Sequence, residues 1–251
     1  PVASVVDFAG KLLVGMGNTL RLYDMGQKQL LRKAEITLNN LNNIISLKTQ
    51  GFRIYVGDIK ESITFVVYKP KQNIFIPFVD DFVSRHVTSF TTLDYDTVIG
   101  GDKFGNVWAL RCPEESSTLA DEESAGVFVS TQDSYLNGSP KRLNQLCHYY
   151  INDIPTSFMK NHDASGLNES VIYTGLQGTI GLLVPLLTQS EIRFFQELQK
   201  QLTEQPELML VGRDHLMYRS YYAPVKGIID GDLCEKFGSL KQSQKNQIAI
   251  N

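Results

Sequence analysis

Residues 98–112 read VIGGDKFGNVWALRC: a short apolar run, a polar turn containing glycine, and a second strand-like run. This order is typical of a β-hairpin, in which the turn joins two antiparallel strands. The same order recurs at 12–25 (LLVGMGNTLRLYDM), 54–69 (IYVGDIKESITFVVYK) and 172–185 (IYTGLQGTIGLLVP). The sequence therefore predicts related hairpins at these four places.

The spacing of the hairpins is typical of a repeat architecture. Gly15, Gly57 and Gly100 recur at spacings of 42 and 43 residues, and a four-stranded blade of a β-propeller takes roughly 40 to 45 residues. Further strand-like runs flank the hairpins, at 2–8, 43–48 and 87–93 before them and at 29–38 and 73–79 after them. Each unit is therefore predicted to contain about four strands.

The predicted fold class is an all-β propeller, WD40-like with degenerate repeats, followed by a small α-helical C-terminal domain. We assign residues 1–187 to propeller blades and 188–251 to the helical domain. The WD dipeptide is absent, so apolar alternation defines the blades. Large propellers close with more than four blades, so we expect the missing blades upstream, in a longer chain. A sequence that starts at Pro1 without Met and at once enters a strand-like run agrees with this expectation.

An acidic insertion, assigned to residues 113–142, separates the third and fourth hairpins. Gly175 comes 75 residues after Gly100, and residues 114–125 (EESSTLADEESA) include five acidic residues and no basic one. This composition predicts a solvated, partly disordered loop between strands. A docking tail for a basic partner is the alternative.

From residue 188 the pattern becomes helical. Thr188 and Glu191 have the spacing of a capping box, in which each side chain bonds the backbone amide of the other residue. Apolar residues follow at near-helical spacing, and the helix is expected to stop at Pro206. These apolar residues are Ile192, Phe195, Leu198 and Leu202.

A second helix start is predicted near residue 230. Asp232 and Glu235 form a further capping pair, and Leu233 begins an apolar i, i+4, i+7 pattern. Asp230 and Asp232 together resemble a fragment of a calcium loop, but the following residues do not supply the other ligands. Helix capping, in which a carboxylate accepts hydrogen bonds from free amides, explains both aspartates.

The composition argues against several function classes. The chain is 42% hydrophobic and 20% charged, with a net charge of −3 and a pI near 5.8, so it lacks the basic excess of nucleic-acid binders. The three cysteines are far apart, without metal-ligand spacing. No run of about 18 apolar residues or signal peptide is present. We expect a soluble intracellular protein without cofactor, metal, membrane association or small-molecule substrate.

Residues 212–237 (GRDHLMYRSYYAPVKGIIDGDLCEKF) combine many chemically active residue types. Asp214, His215 and Ser220 are close in sequence, but a catalytic triad is defined by spatial roles, and no GxSxG motif surrounds Ser220. The glycine-rich turns lie between two predicted strands, whereas phosphate loops lead from a strand into a helix. The sequence therefore predicts a protein without enzymatic activity.

The same segment is rich in the residues that protein interfaces concentrate, namely Tyr and Arg. Two interpretations remain open for them: they pin the helical domain onto the propeller, or they bind an external partner. The candidate residues are Arg213, His215, Tyr218, Arg219, Tyr221, Tyr222 and Lys226.

Three stretches carry a family resemblance. Residues 212–237, together with LDYDTVIGGDKFGNV at 93–107 and LLRK at 30–33, resemble the C-terminal part of the splicing factor 3b subunit 3 family, a component of the SF3b complex of the U2 small nuclear ribonucleoprotein (U2 snRNP). More distantly, the chain is similar to the large damaged-DNA-binding protein and the largest cleavage and polyadenylation specificity factor subunit.

The resemblance implies a nuclear, non-enzymatic scaffold that supports branch-site recognition and prespliceosome assembly. Residues 1–187 would then be blades of a third propeller, and partners would lie in a cleft between the first and third propellers. Those partners would be the HEAT-repeat subunit of SF3b, a subunit of roughly 10 kilodaltons and a small zinc-finger subunit, with U2 RNA nearby but little contacted. The alternative is a ubiquitin-ligase adaptor that presents substrate receptors to a cullin.

Overall fold

The computed structural model describes residues 2–122, 138–162, 169–205, 208 and 213–250. The chain is mostly β-sheet, built from successive antiparallel sheets, and its C-terminal part is helical. The four predicted hairpins are present as strand pairs.

The first two sheets follow chain order from strand to strand. In the first sheet the strands are β1 (Val2–Phe8), β2 (Lys11–Met16), β3 (Thr19–Met25) and β4 (Leu30–Thr37). In the second they are β5 (Ile44–Gln50), β6 (Arg53–Asp58), β7 (Ile63–Lys69) and β8 (Ile74–Asp80). The short strand β12 (Lys141–Arg142) adds to β8 in parallel.

The third sheet is interrupted in sequence by the acidic insertion. Its strands are β9 (Val87–Thr92), β10 (Thr97–Asp102), β11 (Asn106–Arg111) and β13 (Asn144–Tyr150). The fourth sheet contains β14 (Pro155–His162), β15 (Glu169–Gly175) and β16 (Ile180–Leu183). The acidic insertion therefore lies between β11 and β13, the third and fourth strands of the third sheet.

Successive sheets pack face to face. The first strand of each sheet contacts the first strand of the next: β1 with β5, β5 with β9, and β9 with β14. Buried apolar clusters fill the space between the sheets; Phe8 and Tyr68 meet in the first cluster, Phe65 and Trp108 belong to the second, and Phe158 to the third. Burial of apolar area on both faces of the inner sheets supplies the main stabilisation.

The sequence pattern suggested that the recurring glycines are turn residues. In the structure they lie within strands instead. Gly15, Gly57 and Gly100 lie in the second strand of their sheets. A Cβ on Gly15 would lie 2.7 Å from Cγ2 of Ile44 in β5, and a Cβ on Gly57 would lie 2.7 Å from Cε1 of Phe90 in β9. Both distances are shorter than van der Waals contact, so glycine permits the next sheet to approach closely.

Part of the predicted acidic loop is an α-helix. Helix α1 (Glu114–Asp121) begins soon after β11, and Ser116, Ser117 and Ala120 on it are buried. The prediction of a solvated loop is therefore wrong for these residues. Residues 123–137 of the insertion lie outside the described residues.

Arg53 explains why this acidic helix is held against the sheets. Its fully buried guanidinium donates to Asp96 (2.6 Å) and to both carboxylate oxygens of Asp121 (3.1 and 3.2 Å), and it stacks 3.8 Å above the Tyr95 ring. Lys69 donates to two carbonyl oxygens at the C-terminal end of α1 (2.6 and 2.8 Å). A buried guanidinium requires such carboxylate partners. Helix α1 supplies one of them and is thereby held against the second and third sheets.

The C-terminal part consists of four α-helices in the described ranges. They are α2 (Gln189–Thr203), α3 (His215–Arg219), α4 (Gly231–Glu235) and α5 (Gln242–Ile250), with a 3₁₀ turn at Lys236–Ser239. Leu202, Leu208, Leu233 and Leu240 form their buried apolar cluster. Among the described residues, no helix is both long and apolar enough to cross a membrane.

Candidate protein interface

The helix starts show which capping residues act as predicted. The Thr188 side chain accepts from the Glu191 amide (3.2 Å), and the Glu191 carboxylate accepts from the Thr188 amide (3.0 Å). The predicted pair of Asp232 and Glu235 does not start α4. Its N-cap is Asp230, which accepts from the Leu233 amide (3.2 Å).

Asp232 and Glu235 instead lie inside α4. Asp232 is in the first helical turn, where its exposed carboxylate pairs with Arg219, and Glu235 is the last residue of the helix. The cap falls two residues earlier because the Asp230 carboxylate is held in place by side chains from α3. Neither aspartate therefore has a calcium-loop arrangement around it.

Arg219 is the centre of the contact between the helices and the third sheet. Its Nε donates to Asp230 (3.2 Å), its Nη1 donates to the backbone carbonyl of Tyr150 at the end of β13 (3.2 Å), and its Nη2 donates to Asp232. The guanidinium also lies 4.9 Å from the Tyr149 ring centroid and 5.5 Å from the Tyr218 ring centroid. One buried cation thus links α3, α4 and a strand.

Asp230 is hydrogen-bonded to three helical segments, as an acceptor to α3 and α4 and as a donor to α2. One carboxylate oxygen caps α4, the other contacts His215 Nδ1 (2.9 Å) and Arg219, and the Asp230 amide donates to Gln199 of α2 (3.0 Å). Burial alone would raise the pKa of Asp230, but the Arg219 charge and the hydrogen bond from His215 outweigh it and lower the pKa below its ordinary value. Asp230 is therefore a buried anion that holds helices together.

His215 links Asp230 to Lys236 in this network. Its Nε2 lies 3.0 Å from the ammonium of Lys236, which can only donate, so Nε2 accepts and the proton resides on Nδ1. Nδ1 then donates to Asp230. The Ser220 hydroxyl donates to the Leu216 carbonyl (2.6 Å) and is not directed at His215. The geometry fits helix packing rather than nucleophilic catalysis.

The depressed pKa of Asp230 predicts a dependence of stability on acid. A carboxylate with a lowered folded-state pKa stabilises the fold above its unfolded pKa of about 3.9, and this contribution disappears as the pH falls through the folded pKa. We expect the helical region to lose hydrogen-exchange protection below about pH 4. Asp230→Asn should flatten this pH dependence. Equal pH profiles for the variant and the parent protein would contradict the role of Asp230.

An aromatic surface forms where the helical segment meets the third sheet. Tyr150 contacts Tyr218, Tyr221 and Tyr222 with ring centroids 5.4 to 5.8 Å apart, and Tyr222 lies 5.6 Å from Phe104. We call these five residues and His86, which lies 5.3 Å from Phe104, the aromatic cluster. The side chains of Tyr221 and Tyr222 are 57% and 53% exposed, so one side of the aromatic cluster packs on the protein and the other faces solvent.

Two basic candidate residues differ in their setting. Arg213 is exposed and lies before the N-cap of α3. Lys226 has an exposed side chain, while its backbone exchanges two hydrogen bonds with His148 of β13 (2.9 and 3.0 Å). The segment around Lys226 therefore covers the outer edge of the third sheet.

The sequence analysis missed the sheet residues that complete this site. Tyr149 presents its ring and Tyr150 its backbone carbonyl to Arg219. Phe104 extends the aromatic cluster from the turn between β10 and β11. Phe104 could have been recognised from the sequence, because a large aromatic residue is unusual in a polar turn such as DKFGN. Among the described residues, no group of His, Cys, Asp and Glu side chains is arranged to hold a metal ion.

These features define a β-sheet protein with C-terminal helices fixed to one sheet by a buried ion network. Residues 1–239 match the family described as CPSF A subunit region, and the chain belongs to this family. Among its curated relatives are the pre-mRNA-splicing factor rse1 of Emericella nidulans, 49% identical over 249 residues, and the pre-mRNA-splicing factor prp12 of Schizosaccharomyces pombe, 46% identical over 246 residues.

A third relative is the probable splicing factor 3B subunit 3 of Dictyostelium discoideum, 43% identical over 249 residues. The aligned regions cover 98 to 99% of this chain but 20% of each of the three relatives. The chain thus spans about a fifth of the length of the curated relatives it matches. The resemblance to the splicing factor 3b subunit 3 family is confirmed.

Proposed function

We propose that the chain is the C-terminal part of a non-enzymatic scaffold subunit of the SF3b complex, which supports branch-site recognition and prespliceosome assembly in the nucleus. The observation that carries this proposal is identity of 43 to 49% over nearly the whole chain with proteins named as splicing factors. Those names favour splicing over the alternative of a ubiquitin-ligase adaptor.

The sheets are proposed to be blades of a propeller. Support comes from the contacts between the first strands of successive sheets, as expected of the innermost strands of neighbouring blades, and from antiparallel order within each sheet. Residues 1–187 would then be part of the third propeller and 188–251 the helical C-terminal domain. Arg219, His215 and Asp230 would fix this domain to the propeller.

The aromatic cluster is the surface we assign to a protein partner. Its exposed tyrosines combine large apolar area with hydroxyl groups, the composition that protein interfaces concentrate. The proposed partners in the assembly are the HEAT-repeat subunit of SF3b, a subunit of roughly 10 kilodaltons and a small zinc-finger subunit. U2 RNA is proposed to lie nearby, and the net charge of −3 supports little direct contact with it.

Affinity purification of the full-length protein from nuclear extract tests the proposal. We expect recovery of a HEAT-repeat splicing factor together with U2 RNA. Recovery of a cullin without that RNA would overturn the splicing proposal and favour the ligase adaptor.

Replacing both exposed tyrosines should weaken partner retention without unfolding the protein. Tyr221→Ser with Tyr222→Ser removes two half-exposed rings from the aromatic cluster, and truncating interface hot spots of this kind typically costs more than about 1 kcal/mol each. We expect at least about a tenfold loss of partner recovery from nuclear extract.

The matched control for this pair is Phe52→Ser. Phe52 is a half-exposed aromatic residue in the turn between β5 and β6 of the second sheet and is not one of the aromatic cluster residues. It should leave partner recovery unchanged. Equal recovery with the double variant and the control would reject the aromatic cluster as an interface, and a loss of hydrogen-exchange protection in α3 would instead identify a structural role.

A further inference from the structure

The Thr118 hydroxyl lies on the solvent side of α1. The helix turns Ser116, Ser117 and Ala120 toward the sheets, where they are buried, whereas Thr118 is exposed. Its hydroxyl donates to the backbone carbonyl of Glu114, one turn earlier in the same helix (3.0 Å). Thr118 is therefore an accessible hydroxyl on an ordered segment, next to two serines that the sheets cover.

The residues that neighbour Thr118 along the surface of the helix are all acidic. On a helix, the neighbours of a residue are those three and four positions away. For Thr118 these neighbours are Glu114, Glu115, Asp121 and Glu122. An acidic residue at the third position after a hydroxyl, with further acidic residues beside it, is the charge pattern that acidophilic protein kinases recognise through a basic substrate groove. The surroundings of Thr118 therefore match a kinase substrate.

We propose that Thr118 is a phosphorylation site for an acidophilic serine/threonine kinase and that its phosphate releases α1 from the sheets. In the transfer, Thr118 Oγ1 forms a bond to the γ-phosphorus of ATP while the bond from that phosphorus to the β,γ-bridging oxygen breaks. ADP leaves, and the hydroxyl proton passes to the catalytic base of the kinase and then to solvent. The product is a phosphothreonine that carries a charge of about −1.5 to −2 at pH 7.

The phosphate opposes the helix in two ways. Phosphorylation removes the hydroxyl hydrogen of Thr118, so its hydrogen bond to the Glu114 carbonyl is lost and acceptor oxygens lie beside another acceptor. The added negative charge also lies among four carboxylates and in the last turn of α1, where the helix dipole disfavours an anion. The helical form of residues 114–121 is therefore less stable once Thr118 is phosphorylated.

Two cations of the second sheet hold α1 in place at the turn that contains Thr118. Arg53 donates to the Asp121 carboxylate (3.1 Å), and Lys69 donates to the Ala120 carbonyl (2.6 Å). Kinases bind their substrates as extended chains, so a helix that leaves the sheets more readily is a better substrate. A phosphorylated helix in turn leaves the sheets more readily, so release and phosphorylation favour each other. This link is independent of any role in splicing.

Phosphorylation of the purified full-length protein tests the proposal. The probe is casein kinase 2, an acidophilic kinase, with ATP and Mg²⁺, and peptide mass spectrometry locates the phosphate. We expect phosphate at Thr118, and the amides of residues 118–121 should then lose at least about tenfold of their protection from hydrogen exchange. Thr118→Val keeps the shape of the side chain without its hydroxyl. This matched control should retain the protection under the same treatment.

Lys69→Ala tests the link between release and phosphorylation. The substitution loosens α1, so the initial rate of phosphate incorporation at Thr118 should rise at least about threefold. Arg111→Ala, which removes a half-exposed arginine of the third sheet, should leave that rate unchanged. Absence of phosphate at Thr118 would overturn the assignment of the site. Phosphate at Thr118 with unchanged protection of residues 118–121, or equal rates in Lys69→Ala and the parent protein, would overturn the release of α1.

Discussion

Arg219→Ala is expected to destabilise the attachment of α3 and α4 to the third sheet by about 3–5 kcal/mol, the usual cost of removing one partner from a buried ion pair. The substitution leaves Asp230 buried without its cation and leaves the Tyr150 carbonyl without its donor. Hydrogen exchange in the full-length protein measures the effect locally. The Leu233 amide should lose at least about a hundredfold of its protection.

Two further variants separate this mechanism from a general loss of charge. Arg213→Ala removes an exposed guanidinium from the same segment and should change stability by less than about 0.5 kcal/mol. Arg219→Met combined with Asp230→Asn removes both charges and should cost less than Arg219→Ala, because no unpaired buried carboxylate remains. A double variant as unstable as Arg219→Ala would contradict the explanation.

Arg53→Ala is expected to release α1 and to loosen the contact between the second and third sheets by about 1.5–3 kcal/mol, the usual contribution of hydrogen bonds to charged groups, because Asp96 and Asp121 are themselves 35% and 44% exposed. The guanidinium is fully buried and satisfies Asp96 and Asp121, which come from the two different segments it joins. Its stacking on Tyr95 is lost as well. Amides of residues 114–121 should exchange at rates close to those of an unfolded segment.

Arg111→Ala is the matched control for Arg53. Arg111 is a half-exposed arginine of the third sheet that pairs with Asp94 at 3.0 Å, and exposed pairs contribute about 0 to 1 kcal/mol. Retained protection of α1 in Arg53→Ala would contradict the anchoring role. An effect of Arg111→Ala as large as that of Arg53→Ala would point to a general sensitivity of the third sheet.

Local pattern was sufficient to place the strands because alternation of apolar and polar residues reflects which face of each strand is buried. The runs at 2–8 and 87–93 correspond closely to β1 and β9. The role of Gly15 and Gly57 was not predictable in the same way. Their neighbours, Ile44 and Phe90, are about 30 residues away in sequence, and only the packing of sheets brings them together.

The candidate site shows the same limit. The Thr188 capping box was visible because its two bonds join residues three apart, whereas Asp230 owes its position to His215 and Arg219, which are 15 and 11 residues away. The helical form of the acidic segment depended on Arg53, 61 residues before Glu114 in the chain. A tertiary contact such as that of Arg53 can therefore order a segment whose acidic composition alone predicts a solvated loop.

The glycines of the second strands carry a consequence for how the protein tolerates change. At Gly15 and Gly57 the backbone of one sheet lies directly against a side chain of the next sheet, Ile44 and Phe90 respectively. A methyl group added at Gly15 would have to displace the Ile44 side chain, and one added at Gly57 the Phe90 ring, each on the next sheet. Substitution at these two positions is therefore tolerated only as far as a single facing side chain on the next sheet can move aside.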